Sequence, residues 1–494
     1  MNVRRILTRP PVSSVLEPLM WHDGVRGFVL SQVEKALRKE ADECSPESCP
    51  RQVQIDRLDC AIALLRGIDR AMKRGFVSKQ FMRSLVESFL GDIFLNEDLA
   101  QATKRLGFEP PAFITISPTG KCNLKCRGCY AADAALFGNQ LKFEVFDRIL
   151  NEKRQFWGSY FTVVSGGEPF LWKDGDYDLI KLAARHKRDI FMVYTNGTLI
   201  DDQLADRLAE AGNISPCFSV EGFGPETNAR RGEGVYEKVL AAMERLRKVG
   251  VPFGISATAT RDNWDIITSD EFVDFYFFDQ GAVYCWVFQY MPIGRDQCFD
   301  LVVPPEARAQ MVDRMWKHVR EKQVFMVDFW NSGTASLGCI AAGRGTGYFY
   351  INWDGDVTPC VFIPYAADNI NDIYARGGNL NTILELPLFK KIRQWQEEYG
   401  FGRPARETDN WLCPCAIRDH FDRFAEAARE TGARPITPEA KAAIEDPVYY
   451  ERMVEYGRRI KELLDPKWKR EYLGETTASS EKEETREPAG VNPR

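Results

Sequence analysis

No stretch of this chain is apolar for long enough to cross a bilayer, and its start, Met1 to Pro11, carries basic residues without the apolar core of a signal peptide. The expectation is an intracellular, cytoplasmic protein. An excess of positive charge is also missing: the formal net charge of −6 argues against a dedicated nucleic-acid binder. Nor is the chain poor in apolar residues, which make up 44% against 28% charged, so the composition is that of a folded globular protein. Cysteine, by contrast, is abundant. There are thirteen, and in a reducing compartment metal ligation explains them better than disulfides do. The length of 494 residues exceeds one small core and suggests about two to four domains.

Three of the thiols fall within nine residues, Cys122-Asn-Leu-Lys-Cys126-Arg-Gly-Cys129-Tyr130, directly after an apolar run that ends at Ser117. Three soft ligands at spacings of four and three suit an iron-sulfur cluster and leave one iron without a protein ligand. On its own the loop also allows zinc or a simple ferredoxin-like cluster. This CxxxCxxC loop resembles the signature of the radical S-adenosylmethionine (radical SAM) family, in which SAM chelates the open iron of a 4Fe-4S cluster.

From Pro111 onward, strand-like runs alternate with helical ones. Phe113 to Ile116, Phe161 to Val164, Ile190 to Tyr194, Pro216 to Val220, Phe253 to Ala257 and Val283 to Phe288 read as strands. Phe143 to Phe156, Tyr177 to His186, Asp202 to Ala211, Val235 to Lys248, Ile266 to Phe277 and Pro305 to Arg320 read as helices. Such alternation implies a parallel sheet, because parallel neighbours need crossovers. The fold class expected is α/β, and the resemblance makes it a partial, open (β/α)6 barrel with an N-terminal helical region and a small C-terminal auxiliary-cluster domain. The expected divisions are 1–110, 111–325, 326–430, a helical extension at 431–473 and a disordered tail at 474–494.

Chemistry in such folds sits at the C-terminal ends of strands. The second strand ends in Ser165-Gly166-Gly167-Glu168-Pro169, where two glycines allow close backbone approach and a carboxylate can accept from an ammonium. In the family this loop binds the methionyl amino group of SAM. The third strand ends Tyr194-Thr195-Asn196-Gly197-Thr198. Ser219 and Glu221 close the fourth on one side of an extended chain, and the resemblance assigns them the ribose hydroxyls. Arg231, in Arg230-Arg231-Gly232, offers a guanidinium to the SAM carboxylate or to a substrate anion, and a solvated surface turn explains it as well. Gln289 to Arg295 ends the sixth strand on the substrate side. One position departs from the family: an aromatic often precedes the third cysteine, whereas this chain has Gly128, so Tyr130 is expected to take the adenine contact.

A second cysteine set follows: Cys339, then Asn352-Trp-Asp-Gly355-Asp356 leading to Cys360, then Cys413-Pro-Cys415. The Asn-Trp-Asp-Gly-Asp segment reads as a hairpin turn, able to bring distant thiols together. The segment resembles the start of the SPASM domain, the auxiliary-cluster module behind many radical SAM barrels. The full module needs about seven cysteines, and Cys339, Cys360, Cys413 and Cys415 are what this chain offers, so the resemblance implies one auxiliary 4Fe-4S cluster, as in the shortened twitch variant. Four thiolates also suit a structural zinc ion.

Ahead of the barrel, Arg57 to Arg83 holds seven basic residues against two acids on helices with apolar faces, including Val77, Phe81, Leu85 and Phe89. A helical cap explains this; peripheral contact with an anionic membrane is the second reading. Cys44, Cys49 and Cys60 match no metal spacing and read as loop and core thiols.

The resemblance implies an enzyme in which the cluster on Cys122, Cys126 and Cys129 reductively cleaves SAM to a 5′-deoxyadenosyl radical that removes hydrogen from a substrate C–H bond. The first substrate class is a peptide or protein side chain, to be oxidised or crosslinked; the second is a lipid or membrane-derived molecule. A reductant such as flavodoxin or ferredoxin is the implied partner. A non-enzymatic, zinc-stapled protein is the remaining alternative.

Overall fold

The computed structural model describes residues 20–45, 47–85, 87–88, 97–131, 139–293 and 297–475. Phe89, Gly294, Arg295 and the tail beyond residue 475 lie outside the described residues.

The chain enters through two long helices, α1 (Asp23–Glu43) and α2 (Arg51–Lys73). Seven parallel strands follow: β1 (Phe113–Ile116), β2 (Phe161–Val164), β3 (Ile190–Thr195), β4 (Ile214–Val220), β5 (Gly254–Ala259), β6 (Tyr284–Gln289) and β7 (Phe325–Asp328). Each pairs with the next, as in Phe113 opposite Phe161 and Thr162 opposite Phe191. Helices α3 (Phe143–Trp157), α4 (Leu179–Arg185), α5 (Asp202–Ala211), α6 (Val235–Val249) and α7 (Pro305–Lys317) fill five of the six crossovers, and the β5-to-β6 crossover, read from the sequence as a helix over Ile266 to Phe277, is made of short helical turns at Trp264–Ile267, Asp270–Val273 and Asp274–Asp279. Burial on both faces explains why strands such as Ile-Phe-Met-Val-Tyr-Thr are almost continuously apolar. Helix starts are capped as their sequences suggest, Asp201 accepting from the Leu204 amide of α5 at 2.8 Å.

Six of these strands fall where the sequence pattern puts them. The seventh, β7, was not visible as a strand: four residues after a helix carry too short a pattern to count. On the other edge the sheet runs on through a later part of the chain. Strand β8 (Tyr350–Ile351) adds in parallel beside β1, pairing Thr115 with Tyr350, and turns back through Asn352 to Gly355 into the antiparallel β9 (Asp356–Thr358). Gly355 sits at φ 86, the tight position of that hairpin, as its sequence predicts. Strand β10 (Asp368–Asn369) completes a ten-stranded sheet. The region holding the second cysteine set is thereby hydrogen-bonded directly to the strand that leads into the first.

Most basic residues between Arg51 and Arg74 are engaged within the chain. Arg66 pairs with Glu34 at 2.6 Å, Lys73 with Asp69 at 2.8 Å, and Arg70 and Arg74 donate to the carbonyls of Gln323 and Asp279 at 3.0 Å. Cys49 and Cys60 are buried in an apolar cluster with Val53, Trp411 and Leu412. No described helix is long and apolar enough to cross a membrane.

Candidate active site and auxiliary cysteine centre

A cavity of about 340 Å³ opens at the C-terminal ends of β1 to β6. Cys122, Cys126 and Cys129 all line it, together with Tyr130, Gly166, Gly167, Asn196, Ser219 and Arg231. The three thiols are free and half-buried, as ligands of a cluster at a cavity wall must be. Burial pushes the Cys122 thiol up to about 11, so in the metal-free protein it holds its proton.

The Gly-Gly turn after β2 clamps the cysteine loop. The Gly167 amide donates to Thr119 O at 3.0 Å and the Glu168 amide to Lys121 O at 2.7 Å. A Cβ on Gly167 would stand 2.2 Å from Lys121 O, so only glycine permits this approach. Gly128, the position that departs from the family, has its own reason. It adopts φ 66, and a Cβ there would meet Cε2 of Tyr290 at 2.6 Å. The Tyr290 ring, from the end of β6, covers the space that a side chain before Cys129 would use, while Tyr130 bonds Ser165 Oγ at 2.7 Å.

Three predicted site residues do not reach the cavity surface: Glu168, Pro169 and Glu221. Glu168 is fully buried behind it. Its carboxylate accepts from Thr195 Oγ1 at 2.9 Å and the Asn196 amide at 2.8 Å, which fixes the end of β3. Burial nonetheless lifts its pKa to about 7. Glu221 accepts from Arg230 Nη1 at 2.5 Å, from Arg231 Nε at 2.8 Å and from the Thr258 amide at 3.1 Å. That carboxylate thus aims two guanidinium groups whose side chains line the cavity. Asn196 donates to Asn123 Oδ1 at 2.8 Å and so ties β3 to the cysteine loop. Sequence reasoning missed Ser256 and Thr258, which line the cavity beside Ser219; their alternation along β5 was the available signal.

The second cysteine set is close by. Cys339, Cys360 and Cys415 line one small cavity of about 30 Å³. Tyr348 Oη lies 2.9 Å from Cys360 Sγ, and Trp330 Nε1 donates to Cys415 Sγ at 3.1 Å. Cys413 is not brought into this group. Its sulfur packs 3.7 Å from Asn410 O and 3.9 Å from Tyr399 Oη, in the apolar cluster that also holds Cys49 and Cys60. Tyr348, Phe329 and Ile340 line both cavities, and ring contacts run from Tyr130 to Phe362 at 6.4 Å and from Phe362 to Trp330 at 4.7 Å. An aromatic wall therefore separates the two cysteine centres.

Among the described residues no group of three or more His, Cys, Asp or Glu is gathered closely enough for a single metal ion. At each centre the gathered donors are thiols, the ligand type of an iron-sulfur cluster.

Residues 116–273 match the sequence profile of the radical SAM superfamily. This part of the chain is a radical SAM domain. It is similar to the AdoMet-dependent heme synthase of Methanosarcina barkeri, 27% identical over 59% of this chain and 87% of that protein. It is also similar to the mycofactocin maturase MftC of Mycolicibacterium smegmatis, 28% identical over 64% of this chain and 77% of that protein. A crystal structure of Streptococcus suis SuiB bound to precursor peptide SuiA superposes with a TM-score of 0.48 and 17% identity, covering 64% of this chain and 72% of that one. As a radical SAM enzyme the protein uses SAM and a 4Fe-4S cluster, and the thiol set at the cavity has the composition that cluster requires.

Proposed function

We propose that Cys122, Cys126 and Cys129 hold the SAM-binding cluster, that Gly166, Gly167, Asn196, Ser219, Tyr130 and Arg231 seat SAM, and that the substrate is a peptide or protein side chain. The observation that carries this is the convergence of three thiols, a glycine pair, hydroxyls and a guanidinium on one cavity. When bound there, the cluster and SAM supply a one-electron cleavage that ends in hydrogen abstraction from carbon. The protein's own work is placement. The Gly167 turn leaves its backbone bare beside the cysteine loop, Arg231 presents a guanidinium held by Glu221, and Phe113, Phe161, Trp286 and Phe288 keep the cavity apolar and poor in water.

Glu168 and Glu221 act in this reading as positioning residues, Glu168 through Thr195 and Asn196 and Glu221 through Arg230 and Arg231. Cys339, Cys360 and Cys415 hold an auxiliary cluster, one aromatic layer from the substrate. Such a cluster is placed to accept an electron from a product radical, which suits a net oxidation or a crosslink. Support for a peptide comes from this auxiliary centre and from similarity to a maturase. The reductant is a small electron carrier such as flavodoxin or ferredoxin.

The similarity to a heme synthase, with the aromatic lining of the cavity, supports a tetrapyrrole as the second substrate reading. A membrane-derived substrate draws less support, because much of the basic charge on α2 is bonded within the chain. Anaerobic reconstitution with iron and sulfide, then dithionite and SAM, tests the function. 5′-Deoxyadenosine should form, and Cys122→Ala, Cys126→Ala or Cys129→Ala should each abolish it.

A further inference from the structure

Beside the active-site cavity lies a second cleft, of about 300 Å³, between the loop after β6 and α8 (Pro447–Lys467). Met291 lines both, so the two are neighbours across one residue. The chain as a whole is acidic, yet this cleft gathers Arg261, Arg418, Arg452 and Arg459.

Arg418 is the informative one. Its side chain is 1% exposed, and its guanidinium donates to Tyr290 O at 3.0 Å, Met291 Sδ at 3.5 Å and Tyr456 Oη at 3.0 Å. All three acceptors are neutral, and among the described residues Nε has no partner. The adjacent Asp419 makes no direct ion pair with it, since its oxygens accept from Arg308 at 2.5 and 3.0 Å, and it acts on Arg418 only through space. A buried cation with no carboxylate in contact is costly, and the rings of Trp330 and Tyr456, 5.2 and 5.0 Å away, offset part of that. Arg452 lays its guanidinium over Phe299 at 4.0 Å, and Arg261 donates only to the carbonyl of Asp300. The remaining charges at the rim are already paired, Arg459 with Glu306 and Glu455 with Arg458.

We propose that this cleft is a carboxylate-binding subsite that takes an acidic segment of the peptide substrate while the reacting residue lies in the cavity beyond Met291. The proposal rests on the peptide reading above. Arginine is the side chain suited to this task, since its planar fork matches a carboxylate in two parallel hydrogen bonds. Arg418 supplies the buried charge at the base, and Arg452 and Arg261 supply exposed ones at the rim.

The test is binding of fluorescein-labelled hexaglutamate to the full-length, iron-reconstituted chain at low ionic strength, read by anisotropy, with labelled hexaserine as the reference. Hexaglutamate should bind at least tenfold more tightly than hexaserine. Arg452→Glu should weaken it at least tenfold. Arg458→Glu, on the same helix but held by Glu455 and Glu462, should change it less than threefold. Thermal melts confirm that both exposed-site variants fold. Equal losses in the two variants would reduce the effect to general attraction and overturn the subsite, as would no preference over hexaserine. Displacement by micromolar inorganic phosphate would overturn the carboxylate assignment. The assay does not use turnover, so absence of 5′-deoxyadenosine formation would remove the proposed function and leave this result to stand or fall separately.

Discussion

Gly167 shows how one missing side chain holds the site together. Its Cα faces the carbonyls of Gly120 and Lys121, and backbone cannot move aside as a side-chain tip can. Gly167→Ala is expected to push the turn off the cysteine loop, lowering the melting temperature and the iron retained after reconstitution. Glu168 carries a pH signature. Burial raises its pKa from 4.5 to about 7, so between those values the folded state keeps a proton that the unfolded state releases. Stability should therefore fall as pH rises from about 4.5 to about 7, by on the order of 3 kcal/mol, and be level with respect to this group outside that window. Urea midpoints for the wild type and Glu168→Gln across this range should differ in slope, the variant lacking this component.

Elements explain which parts of the site were legible in the sequence. The cysteine loop, the Gly-Gly turn and Ser219 could be read because each follows an apolar run of strand length, and a parallel strand places its C-terminal residues at the site. Glu168 and Glu221 carried the right motif but not its geometry, since a sequence does not say that Thr195, Asn196, Arg230 and Arg231 reach those carboxylates first. Tyr290 lies in the segment read as facing the substrate, but its packing on Gly128 could not be found. Its contact with Gly128 spans more than 160 positions and depends on how β6 ends. The same holds for Cys413 and Cys415, two residues apart and indistinguishable as letters, yet facing an apolar cluster and the auxiliary cavity respectively. Cys339→Ala, Cys360→Ala and Cys415→Ala should each lower the auxiliary iron content, whereas Cys413→Ser should retain it. The wall between the centres makes a further prediction. Trp330 and Tyr348 lie against the sulfurs of Cys415 and Cys360, and hydrogen bonds to cluster sulfur favour the reduced state. Trp330→Phe with Tyr348→Phe should keep the iron and shift the auxiliary midpoint potential to a more negative value, while the SAM-site potential stays put. An unchanged auxiliary potential would remove these donors from the account.

At the scale of the whole molecule, one sheet organises two cysteine centres. Strand β1 leads into Cys122 to Cys129, and β8, hydrogen-bonded beside it, carries the hairpin that ends at Cys360. The distance between the centres is thus set by strand pairing and by the packed rings of Phe329, Trp330, Tyr348 and Phe362, not by a linker. In the proposed function, that spacing serves electron transfer past a bound substrate. The cluster proposed for Cys122, Cys126 and Cys129 would cleave SAM in the cavity these thiols line. The decisive measurement is the yield of 5′-deoxyadenosine after anaerobic reconstitution, dithionite and SAM. The wild type should form it, and Cys122→Ala, Cys126→Ala and Cys129→Ala should form none. A reconstituted wild type that binds iron on these three thiols and forms no 5′-deoxyadenosine would contradict that assignment.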